Sequence, residues 1–150
     1  MESEIGLAAI ALRLILACFL GGVIGIEREF KNRPAGLRTH ILTSLAAALF
    51  TIMAIELSFA LADDQRNIQA DPIRIIEAVT AGVAFLAAGT IITRQDNVSG
   101  LTTGAGMWLA GAIGIATGAG YYIVAAMTTG LALIIFVILN SVVLLLKKSE

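Results

Sequence analysis

EREFKNRPAGLRTH, residues 27–40, lies between two stretches that are almost wholly apolar. The run holds two carboxylates (Glu27, Glu29), four cations (Arg28, Lys31, Arg33, Arg38) and the single histidine, His40. A plain solvated connector needs far less charge. What the run joins decides the fold, because the flanks are apolar over about 17–26 residues, the length that crosses roughly 30 Å of hydrocarbon as helix.

Composition points the same way. Hydrophobic residues make up 58% and charged residues 14% of the 150, and the mean hydropathy is +0.91, outside the range of water-soluble domains. A net charge of −1 gives no case for a nucleic-acid partner. Cys18 is the only cysteine, so no intrachain disulfide forms. The start, MESE, lacks the basic opening of a secretory leader, and the first apolar run is expected to stay.

The expected fold is all-α, a polytopic membrane helix bundle forming a single transmembrane domain over residues 1–150. Five spans are read at about 5–26, 39–61, 73–93, 101–117 and 121–146. In lipid every backbone amide needs an internal partner, which favours helices despite the many Val and Ile residues. Asp71-Pro72 reads as cap and first-turn pair of the third helix, and GAG at 118–120 as the end of the fourth. Seven Lys and Arg fall in the first and third connectors and the tail, against two (Arg66, Arg74) on the other side. The positive flank stays cytoplasmic, so the N-terminus is expected outside and the C-terminus inside.

Shifted by 64 residues, AGLRT at 35–39 aligns with SGLTT at 99–103, and Gly25 with Gly89. This reads as a parallel helix-hairpin repeat. In each copy a glycine turn precedes a hydroxyl able to cap the next helix. Two such starts with Arg28, Arg33 and Arg38 nearby suit an anionic group; the plain alternative is a tight turn whose arginines meet lipid headgroups. Glu27 and Glu29, with His40, could instead hold a hard cation, although ion pairs to Arg33 or Arg38 would use the same oxygens; the residues leave the metal question open.

Three ionisable residues interrupt the apolar runs: Arg13, Glu56 and Glu77. At 1.5 Å per residue they lie roughly 12, 8 and 6 Å in from the outer ends of their helices. Intramembrane charge is costly enough to imply function or partnership, and a polar cluster with Arg13 between the two carboxylates is expected, the alternative being separate snorkelling. Small residues four apart, Gly21 with Gly25 and Gly114 with Gly118, read as close-packing faces that would also hold a homodimer. Trp108, midway along its helix, reads as core or subunit contact.

GGVIGIERE, RPAGLRTHILTSLAAALF, AAGTII and GLTTGAGMWLAGAIGIATGAG together resemble the MgtC/SapB family of bacterial inner-membrane proteins. The resemblance covers most of residues 13–125. It implies a five-span inner-membrane domain, a link to growth under magnesium limitation and to survival inside host phagocytes (virulence), and, for one member, restraint of the membrane ATP synthase. The family's characteristic positions fall on Glu27, Arg28, Glu29, Ala35, Gly36, Leu37, Arg38, Thr39, Gly100, Leu101, Thr102, Thr103 and Trp108. The chain departs from the pattern at Ala87 and Ala88, at Ser99, where an arginine is usual, and at Gly104 and Ala105. Better-known members carry a soluble regulatory domain after the last span, which these residues do not include.

Two functions follow as expectations. One is a non-enzymatic regulator or stress-adaptation factor binding a membrane-protein partner, a headgroup or itself; the other is a small cation transporter or channel for Mg²⁺, K⁺ or H⁺. No Ser-His-Asp set, GxxxxGK loop or ligand-spaced Cys/His cluster speaks for an enzyme or a cofactor.

Overall fold

A computed structural model describes residues 5–63, 71–94 and 97–147. Five helices carry nearly all of it: α1 (Leu7–Phe30), α2 (Leu37–Asp63), α3 (Pro72–Ala88), α4 (Leu101–Gly118) and α5 (Tyr122–Lys147). α1 and the Leu37–Leu61 stretch of α2 are long and apolar enough to cross a membrane, and Tyr122–Ile138 is a shorter apolar helix.

The local chemistry explains most boundaries. The Asp71 carboxylate accepts from the Ile73 amide at 2.9 Å, with Pro72 in the first turn, a capping pair that satisfies amides left free at a helix start. Gly120 takes φ +87 just beyond α4, where an L side chain would be strained. Two boundaries differ from the sequence reading. α1 runs through EREF to Phe30, so the connector shrinks to residues 31–36; Asn32, at φ 49, turns the chain there. α3 stops at Ala88 rather than Thr93. Instead β1 (Ile92–Arg94) and β2 (Asn97–Ser99) form a two-stranded ribbon, antiparallel with Ile92 opposite Ser99.

The helices meet where side chains are smallest. A Cβ on Gly21 would lie 2.7 Å from the His40 carbonyl oxygen, and one on Gly25 the same distance from the Leu37 Cα. On α4, a Cβ at Gly114 would strike the Ser44 carbonyl, and one at Gly118 would come within 2.6 Å of that of Ala48. α1, α2 and α4 therefore pack backbone to backbone, the contact that replaces the hydrophobic effect as glue between helices in lipid. The glycine faces expected to hold a homodimer are used inside the protomer. Beside this junction Leu20, Ile24, Ile113, Ala125 and Ala132 form the core, with Leu16, Leu109, Ala116 and Phe136 packed on it.

These contacts also set direction. Gly106 faces His40, and Gly118 faces Ala48 and Thr51, so α4 runs parallel to α2; Gly111 against Val83 and Gly104 against Ala87 make α3 antiparallel to α4. The connectors at 31–36 and 89–100 therefore share one end of the bundle. α2 and α4, the second helices of two like-oriented hairpins, pack together at its centre.

Candidate functional site

That shared end holds a network of buried and paired charges. Arg28 is only 4% exposed. Its position on the last turn of α1 aims the guanidinium across the bundle, where Nη2 donates to Thr103 Oγ1 at 3.5 Å. Nη1 lies 3.8 Å from Glu27 Oε2, and Lys31 Nζ lies 2.6 Å from Glu27 Oε1, one helical turn on. Lys31 Nζ also donates to the Phe136 carbonyl at 3.2 Å, and Arg28 Cζ sits 4.8 Å from the centroid of that residue's ring. One carboxylate and two cations thus tie α1 to α4 and α5. A guanidinium stacked on an aromatic face keeps its charge while shedding water.

His40 is fully buried one turn into α2, with Nδ1 2.8 Å from the Gly36 carbonyl oxygen. Its Nε2 faces Gly106 and has no hydrogen-bond partner; Arg28 Nε and the buried Ser44 hydroxyl are likewise without one. Buried polar atoms are normally satisfied, and these three lie on the neighbouring helices α1 and α2.

The expected hydroxyl caps are not the ones used. The start of α2 is capped by Glu29, whose Oε2 accepts from the Leu37 amide at 2.9 Å. A Cβ on Gly36 would collide with that carboxylate, which accounts for the glycine. Thr39 is the third residue of the helix and so lies beyond the cap position. At α4, Gly100 occupies the cap position at φ 88 with no side-chain bond; Leu101 and Thr102 are exposed, and Thr103 turns inward to Arg28. Because Glu29 already fills the α2 start, the two helix ends do not form a paired anion cradle. Arg33 and Arg38 are exposed.

The possible metal ligands also diverge: Glu27 turns to Lys31 and Arg28, Glu29 to the Leu37 amide, and the His40 Nδ1 to the Gly36 carbonyl. Among the described residues no three His, Cys, Asp or Glu side chains are grouped to hold a metal.

At the opposite end the three ions expected within the membrane are not gathered around Arg13. Arg13 Nη1 donates to the Gly118 carbonyl at 2.7 Å, closing the end of α4, a helix terminus that favours positive charge. Glu56 Oε1 accepts from the Ile5 amide at 2.9 Å, just before α1. Glu77 is exposed on α3. Trp108 is 47% exposed, over a shallow cleft with Ile76, Thr80 and Gly111, and so does not fill the protomer core.

The residues that sequence reasoning missed are Lys31, Ser44 and Phe136. Lys31 had a signal, its i,i+4 spacing from Glu27; Phe136, 105 residues from Lys31 in the chain, had none.

The sequence profile described as the MgtC family matches residues 14–144. YhiD of Escherichia coli (strain K12), named provisionally as a magnesium transporter, is 43% identical over 115 residues, 77% of this chain and 53% of that protein. SapB of Bacillus subtilis (strain 168) is 42% identical over 75% of this chain and 49% of its own. MgtC of Brucella abortus (strain 2308) is 36% identical over 94% and 56%. The chain spans about half the length of these relatives. No solved structure matches it significantly.

Proposed function

We propose, because this chain belongs to the MgtC family of membrane proteins, that it is a multi-pass inner-membrane regulator or adaptation factor in magnesium-limited growth. In this reading it acts without catalysis, binding a membrane partner or an anionic group at the end that carries both connectors. In this reading the five helices span the membrane with that end in the cytoplasm and the N-terminus outside, the orientation that the Lys and Arg distribution favours. One observation carries the reading: Glu27, Arg28 and Lys31 lock α1, α4 and α5 together, while Arg33 and Arg38 remain exposed at the same end. A rigid base with outward-facing guanidinium groups is suited to contact carboxylate or phosphate.

The second reading, cation transport, is favoured by the name given to YhiD. The backbone contact of α1, α2 and α4 through Gly21, Gly25, Gly114 and Gly118 weighs against a water-lined path along that junction. A flux assay on purified protein in liposomes separates the two. The regulator reading expects no protein-dependent movement of Mg²⁺, K⁺ or H⁺, and expects Arg38→Ala to abolish complementation in low-magnesium growth at an unchanged level of folded protein. Flux that falls in Glu56→Gln or Glu77→Gln would establish the transporter instead.

A further inference from the structure

The two faces of α2 differ. One is sealed against α1 and α4; on the other, between α2 and α3, an open groove of about 650 Å³ runs beside the bundle. Its walls are apolar, with Leu42, Phe50, Val79 and Leu86 prominent, and Arg38 and Thr39 stand at one end. Among the described residues Arg38 makes no ion pair and is exposed. The nearest carboxylate in sequence, Glu29, is committed to the Leu37 amide.

We propose that this groove holds one anionic glycerophospholipid of the surrounding bilayer, with its acyl chain between α2 and α3 and its phosphate on Arg38. Length, charge and shape agree. From Arg38 to Phe50 α2 advances roughly 18 Å, close to one leaflet, which is half of the roughly 30 Å hydrocarbon layer. A lipid in that leaflet meets the guanidinium with its headgroup and the apolar walls with its tail. An anionic lipid supplies both the charge that faces Arg38 and the apolar length that covers the walls. Gly82, on the α3 wall, has nothing within 4 Å of where a Cβ would stand, so this stretch of the groove is open to an acyl chain. The inference rests on the helices lying in a membrane and on neither reading of the activity.

The test is lipid retention by the purified 150-residue protein. It is exchanged from vesicles of phosphatidylglycerol and phosphatidylethanolamine in equal parts into mild detergent and examined by native mass spectrometry. Wild type is expected to keep one phospholipid per chain, enriched in phosphatidylglycerol. Gly82→Leu, which starts from a Cβ with no protein atom within 4 Å and puts its bulk on the groove wall, should lose the bound lipid while keeping wild-type helicity and elution volume. Gly130→Leu, another glycine with open space on α5, should retain it. Arg38→Gln, an exposed change that leaves the fold intact, should keep a lipid but lose the preference for phosphatidylglycerol by roughly fivefold, the effect of one interfacial arginine. Complete loss of lipid from wild type would overturn the proposal. So would equal retention by Gly82→Leu, an unchanged headgroup preference in Arg38→Gln, or a dimer, instead of a lipid, lost with Gly82→Leu. A flux or growth result alters none of these outcomes.

Discussion

The two sides of α2 contrast one way of joining helices with another. Toward α1 and α4, backbones touch because glycines stand where any side chain would collide; toward α3, a groove separates the walls. The same helix is rigidly held on one side and loosely accompanied on the other. Polar atoms follow the division: His40, Ser44 and Thr51 lie buried on the tight side, and Arg38 is at the mouth of the open one. Tight contact is where a substitution should be felt, and open contact is where it should be forgiven.

The sharpest way to break the comparison is Gly114→Leu. Its side chain would enter the Ser44 backbone, so a loss of more than about 3 kcal/mol and little folded protein in detergent are expected; near-wild-type yield would show that the junction can open. Arg28→Met comes next. It removes the buried guanidinium from Thr103 and Glu27 while Lys31 still holds the carboxylate, and should cost about 2 kcal/mol in denaturant unfolding. Glu29→Gln weakens the α2 cap by about 1 kcal/mol, to be seen as faster hydrogen exchange at Leu37 and Arg38 with the rest unchanged. Least of all, Gly82→Ala on the open side should be neutral or raise stability by up to about 1 kcal/mol through helix propensity. If Gly82→Ala destabilised as much as the change at Gly114, the distinction between the two faces would fail.

Much of this architecture is legible in residue order. Apolar runs mark all five helices, Asp71-Pro72 marks a start, and the glycine pairs mark close approach. What residue order conceals is partnership at a distance. Arg28 meets Thr103 across 75 residues and Arg13 meets Gly118 across 105, and no local spacing encodes either. Helix α1 outran its expected end because Glu27 and Lys31 pair along the helix, so charge there extends the helix instead of interrupting it. The ribbon after α3 was hidden for a different reason. Ile92 and Thr93 are as apolar or β-branched as a span's end, and only the later pairing with Val98 and Ser99 distinguishes strand from helix. At the site, cations near the connector were visible, but which of them turned inward was decided by Phe136 and Thr103.

The bond from Arg13 to the Gly118 carbonyl has a consequence for how the chain is made. A ribosome adding roughly 5–20 residues per second needs on the order of ten seconds after exposing the first arginine to deliver its acceptor. Through that interval the Arg13 guanidinium lacks its Gly118 acceptor. The earliest helix to be synthesised thus gains one of its contacts late, and a nascent polypeptide arrested before residue 118 would present quality-control proteases with an α1 that meets α2 at Gly21 and Gly25 while Arg13 still lacks its acceptor.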